Sequence, residues 1–277
     1  MEAVIPLAQG LALKMRDTPS AAPQYATGLL SRGLLLMDGD QELTEEAVGF
    51  GVPVVKRGLE TIFPGNVRLD LRQVGRTSTI RAQFKLNLVE RFAQAGNGNL
   101  KSGQFYALKN LLAAAMRHLP ASRGPLTASS SRLREMFHWE TTYADAGFEA
   151  VVNITCSAPP GAERVTVEVD AGELRGDITE VVIMHEQGAR AFDRYQDSSG
   201  IRIQRSQIGC WDEVRAAEAR FESSSHRIAF RLRRLPGARL FRGRELIGSR
   251  LAWAGFGYSF PPSLKKLDHE ITISRLA

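Results

Sequence analysis

Val165-Thr166-Val167-Glu168-Val169-Asp170 and Arg227-Ile228-Ala229-Phe230-Arg231-Leu232-Arg233 decide the fold class. In both stretches apolar and polar residues alternate with a period of two. That period sends one set of side chains to a core and the other to water, as in a half-buried β-strand. Working outward, strand-like segments recur over 136–143, 147–157, 163–170, 178–186, 189–195, 200–210, 215–222 and 226–234. Pro159-Pro160-Gly161, Asp197-Ser198-Ser199-Gly200 and Ser223-Ser224-Ser225 part them, and Pro236-Gly237 closes the array. Further strands are expected within 238–260 and around Ile271 and Ile273.

Upstream, residues 1–28 carry few clear periods, and Thr18-Pro19-Ser20-Ala21-Ala22-Pro23 reads as a turn or linker. Leu29 to Met37 reads as a strand, followed by Asp38-Gly39, a pair that tolerates the positive φ of a tight hairpin. Gln41 to Glu46 is its return strand or a loop. Val48 to Arg57 is strand-like but holds Gly49 and Gly51, which suggest a bulge, and Pro53, which suggests an edge. Leu59 to Phe63 forms a short strand. Val67, Leu69 and Leu71 alternate with charged residues, and Ile80, Ala82, Phe84, Leu86 and Leu88 make the cleanest one-sided strand.

One helix is expected, over 102–120. Phe105, Leu108, Leu111, Leu112, Ala115 and Leu119 fall on one face, Ser102 is placed to cap its start, and Pro120 stops it. The whole reads as an all-β protein: a large antiparallel β-sandwich, or open barrel, of about a dozen strands with one inserted amphipathic α-helix. A single β-rich domain (1–277) in two halves is expected, with strands over 29–92, the helix over 102–120 and strands again over 132–277.

The chain has 277 residues, 43% hydrophobic and 24% charged, so a core of useful size needs no covalent staples. Its two cysteines, Cys156 and Cys210, sit in strand-like runs and read as small buried hydrophobes; their spacing argues for no disulfide. The apolar run Val4 to Leu13 is interrupted by Pro6, Gln9 and Gly10 and is too short to span a membrane. A soluble, cytoplasmic protein without a membrane partner is expected. The net charge is +6, and 29 of the 36 basic residues are arginine. An excess of arginine over lysine follows genome base composition as readily as polyanion binding.

No G-x-S-x-G, G-x-G-x-x-G or zinc-ligand spacing is present, so no metal or cofactor is expected. Three clusters remain. His185-Glu186, with Arg194 and Tyr195 downstream, reads as an acid–base or ligand-binding group in a sheet concavity, or as polar residues at a strand end beside a hairpin. On one strand, His185 and Glu186 point to opposite faces. His138, Trp139 and Glu140 read as a sugar site, with an aromatic face against C–H groups, or as a core tryptophan with polar neighbours on the outer face. Arg231, Arg233, Arg234, Arg239, Arg242, Arg244 and Arg250 run against one acid, Glu245. They read as a face for an anionic polymer or as a solvated strand face. No nucleic-acid module supports a nucleic-acid partner, which stays open on charge alone.

Two functions follow. The first is a non-catalytic binding module for a carbohydrate or anionic polymer, through His138, Trp139, Arg194, Tyr195, Arg231 and Arg233. The alternative is a carbohydrate-active enzyme (lyase, epimerase or hydrolase) using Glu140, His185 or Glu186 in acid–base chemistry.

Overall fold

The structure, a computed structural model, describes residues 2–17, 30–58, 60–74, 76–94, 139–209, 211–247 and 251–276. The helix expected over 102–120 lies outside the described residues, as do His138, Cys210 and Arg250. Among the described residues no helix is long and apolar enough to cross a membrane.

Eighteen strands are present among the described residues. A small antiparallel sheet runs in chain order through β1 (Glu2–Pro6), β2 (Leu11–Arg16), β3 (Leu35–Asp38) and β4 (Gln41–Glu42). The remaining strands are β5 (Gly49–Arg57), β6 (Glu60–Val74), β7 (Thr77–Gln94), β8 (Trp139–Ala158), β9 (Arg164–Asp170), β10 (Glu180–Gly188) and β11 (Arg194–Asp197). After these come β12 (Arg202–Gln204), β13 (Asp212–Glu213), β14 (Glu218–Ser223), β15 (Ile228–Arg233), β16 (Arg239–Ile247), β17 (Leu251–Phe260) and β18 (Lys266–Arg275). They form one sheet of 14 strands, in the order β12-β11-β14-β15-β18-β9-β8-β7-β6-β5-β10-β17-β16-β13.

This sheet folds over on itself. Phe230 of β15 meets Phe50 of β5 edge-on, with ring centroids 5.2 Å apart, although β18, β9, β8, β7 and β6 lie between those strands in the sheet. Phe256 of β17 meets Phe221 of β14 in the same way at 4.9 Å. Two layers therefore face each other across one apolar core. The bend is built into β6, β7 and β8. Their register shifts at Phe63/Pro64, Pro64/Asn66 and Leu86/Leu88. Before the shift β6 pairs with β5; at the other end of the ribbon Asn153–Ser157 of β8 pairs with β9. Bulges let a strand turn a corner from one layer into the next. The first layer thus holds β5, β10, β17 and β16, and the second holds β9, β18, β15, β14 and β11.

Several expected segments resolve differently. The described part of the short strand at 59–63 and the alternation at 67–71 are one strand, β6, bent at Pro64. The described part of 136–143 is continuous with 147–157 as β8. Segment 189–195 is a turn that enters β11 only at Arg194, and 200–210 shortens to β12 and a 3-10 turn. Residues 1–28 contain β1 and β2, whose burial alternates strictly at Ala3, Ile5, Leu11, Leu13 and Met15. The 3-10 turn at Ala8–Gly10 breaks that period after only five residues. Pro53 is not at a sheet edge, because β5 lies between β6 and β10. It is tolerated because β6 pairs only with Val55–Arg57, so at Pro53 the strand has β10 alone as its ladder partner.

Candidate active site

Strand β10 supplies two opposite faces. Val181 and Ile183 lie in the core between the layers, while Val182 and Met184 join a separate apolar cluster on the outer face of the first layer. His185 and Glu186 continue this alternation, one inward and one outward.

On the inner face His185 is fully buried and meets His269 of β18, 5% exposed, with 2.9 Å between the two Nε2 atoms. This contact bridges the layers. The Gly51 backbone N–H donates to His185 Nδ1 at 3.3 Å. Nδ1 is therefore the acceptor, and the His185 proton sits on Nε2 and is donated to His269. His269 Nδ1 then carries a proton and has no partner within hydrogen-bond geometry. Tyr258 packs edge-on to both rings. Burial holds His185 well below the usual imidazole range, with His269 adding to the effect. Burial also brings His269 down to about 4, against a weaker upward pull from the Leu267 backbone. Both rings are thus neutral near pH 7.

On the outer face Glu186 is 4% exposed. Desolvation pushes its carboxyl up to about 8; the Val48 backbone N–H favours the charged form, and the negative charge of Glu245 adds to the rise. Antiparallel register explains the pairing. Glu186 lies beside Gly255 of β17, which lies beside Gly243 of β16; Trp253 lies opposite Glu245. Residues two apart on a strand share a face, so Glu186, Trp253 and Glu245 converge. The Trp253 indole N–H donates to Glu245 Oε2 at 3.3 Å. Trp253 stacks on Trp211, with centroids 5.1 Å apart and rings 29° from parallel. Trp211 also packs against the Val52, Val54 and Met184 cluster. Such a site joins a carboxyl held neutral near pH 7 to a second carboxyl beside two indoles, an arrangement able to donate a proton.

The other expected residues disperse. Arg194 is exposed on β11, and Tyr195 is buried in the core with its hydroxyl donating to Asp197 at 2.9 Å. The backbones of Trp139 and Glu140 pair with Gln94 and Ala93 at the start of β8. Arg231 and Arg233 share Glu218, and Arg239 pairs with Glu180. Arg242 is buried over the Tyr195 ring and pairs with Asp212 at 3.3 Å. Arg244 donates to the Ala189 and Phe192 carbonyls. The arginine run thus divides among local partners on several strands. Cys156 is buried, and burial pushes its thiol up to about 12. Among the described residues no group of three or more His, Cys, Asp or Glu side chains is placed to hold a metal ion.

Sequence alone does not single out Glu245, Trp253, Trp211 and His269 as site residues. One signal exists: Gly248-Ser249 is turn chemistry between two apolar runs. Pairing of β16 with β17 sets Ile247 opposite Leu251 and Glu245 opposite Trp253.

No family model matches the chain, and no curated protein does. Solved structures do. An α-N-acetylgalactosaminidase from Bifidobacterium bifidum, in complex with GalNAc, aligns with a TM-score of 0.52 at 12% identity over 99% of this chain and 36% of that one. An α-mannosidase from Enterococcus faecalis V583 aligns at 0.45 and 6% identity over 100% of this chain and 30% of that one. A galactose mutarotase-like protein from Clostridium acetobutylicum aligns at 0.38 and 9% identity over 97% and 94%. The chain therefore shares its fold with part of the first enzyme and spans about a third of its length. These neighbours are carbohydrate-active enzymes and a mutarotase-like protein.

Proposed function

We propose that the protein is a carbohydrate-active enzyme in which Glu186 acts as general acid and Glu245 is the second carboxyl of the site. One observation carries this reading: a carboxyl buried on the outer face of a sheet, on the same face as Glu245 and Trp253, which burial pushes up to about 8. A carboxyl that burial keeps protonated near neutral pH is suited to general-acid work. Glu186 has a proton to give to a glycosidic or ring oxygen, and Glu245 can accept one from a hydroxyl or from water. Trp253, tied to Glu245 through its indole N–H, fixes that carboxylate. The carbohydrate class draws on the fold shared with the α-N-acetylgalactosaminidase, an argument from analogy. The non-catalytic alternative loses its main support, because the arginines proposed to bind an anionic polymer are engaged locally.

The test is turnover. Anomer interconversion of free aldoses, followed by polarimetry, and release of nitrophenol from aryl glycosides are measured for the wild type, Glu186→Gln and Glu245→Gln. Turnover in one class is expected, with Glu186→Gln losing about 10²-fold or more. Activity needs protonated Glu186, so it is lost as pH rises through about 8. Absence of turnover in both classes, or full activity in Glu186→Gln, overturns the proposal.

A further inference from the structure

Trp211 has a backbone that its side chain does not favour. Its φ is +54°, the left-handed region that bulky L-residues seldom adopt. Strain of this kind persists only where the surroundings enforce it, and it gathers at ligand sites. Two glycines on neighbouring strands make the enforcement visible. A Cβ at Gly257 would fall 2.7 Å from the Trp211 ring, and one at Gly243 would fall 2.9 Å from the Trp211 backbone nitrogen and 2.5 Å from the Trp253 ring. The indole pair thus occupies room that only side-chain-free positions leave. Trp253 is the covered member, 5% exposed and bonded to Glu245. Trp211 lies over it and stays partly exposed.

We infer that Trp211 is a stacking platform that seats a pyranose ring by its C–H face beside Glu186 and Glu245. The inference rests on the acid–base reading of those two carboxylates and names the recognition element of the same site. An indole face takes apolar C–H groups, and the ring hydroxyls are left at its rim for polar partners. The ligand class is a closed, rigid sugar ring. An open-chain alditol of matching configuration presents no continuous C–H face and is not held.

The experiment uses the full chain with methyl β-galactopyranoside and galactitol as probes, and whichever substrate the turnover assay identifies. Trp211→Ala is expected to raise KM about ten- to a hundredfold with kcat changed only a few-fold, and Trp211→Phe to recover most of the loss. Indole emission is expected to change saturably with the pyranoside and not with galactitol, and this response disappears in Trp211→Phe, where Trp139 and Trp253 remain. An unchanged KM in Trp211→Ala, with Glu186→Gln inactive, overturns the platform and leaves the acid–base reading standing. Full activity in Glu186→Gln overturns the acid–base reading, and the emission titration then decides the platform alone. If Trp211→Ala does not fold, Trp211→Phe and the wild-type emission response decide instead: no response to the pyranoside overturns the inference.

Discussion

His185 and Glu186 are neighbours in sequence and opposites in environment. One faces the core between two layers and the other the outer surface of the first layer. Both are buried, and burial penalises the charged form of each. The imidazole is therefore driven down and the carboxyl up, so both are neutral near pH 7. The difference lies in their partners. His185 is closed in by His269 and the Gly51 N–H, both ring nitrogens bonded in a contact that joins the layers. Glu186 has Glu245 and two indoles, of which Trp211 remains partly exposed. Placement in the fold gives two titratable groups that adjoin in the chain opposite surroundings, and under the proposed function only Glu186 does chemistry.

The largest effect expected from breaking this contrast is in Glu186→Gln. A raised carboxyl contributes stability that is full below about 4.5 and lost as pH rises through about 8. The glutamine variant should lose this slope and be more stable than wild type at pH 8, on the order of a few kcal/mol. Urea unfolding at pH 5 and pH 8 measures it, and a stability gap that is the same at both values sinks the assignment. His269→Leu tests the inner face. It leaves the His185 Nε2–H without an acceptor and should cost about 1–3 kcal/mol at pH 7. Depressed histidines contribute stability present above about 6.5 and lost as pH falls through about 4. The acid limb of the variant should therefore be shallower, as read by unfolding at pH 7 and pH 5. Gly51→Ala sharpens the comparison without a clash: the nearest atom to its new Cβ lies 3.7 Å away, but φ is +74°. A loss of about 1–2 kcal/mol is expected from the backbone alone, and equal stability would mean that the strand relaxes. Arg233→Ala should change stability by about 0.5 kcal/mol or less and leave turnover untouched, because its ion pair is largely exposed. A larger loss in either would restore the basic face as a functional surface.

The strands are legible wherever one face is wet. Val165, Val167 and Val169 alternate because β9 has a core side and a solvent side. Legibility falls where both faces are covered or a strand bends. Burial on both sides of β10 removes the contrast that a period of two needs. The bulges at Pro64 and Leu86/Leu88 shift the phase, so β6 reads as two strands. Glu186 is visible in the sequence as a candidate, but its partner is not. Glu245 looks like a lone acid among arginines until register places it beside Trp253.

The crossing strands carry a consequence for synthesis. β17 fills the gap between β10 and β16, and β18 fills the gap between β9 and β15. Both come after residue 250 in the chain. Until the ribosome has delivered residues 251–275, each layer has an open seam: β10 lacks its outer neighbour and β15 is separated from β9. His185 waits for His269, and Glu186 waits for Gly255 and Trp253. Unpaired seams are where partly made chains aggregate. The nascent protein thus depends on β17 and β18 to close both layers together, and slow decoding or termination between residues 234 and 251 would leave both seams open.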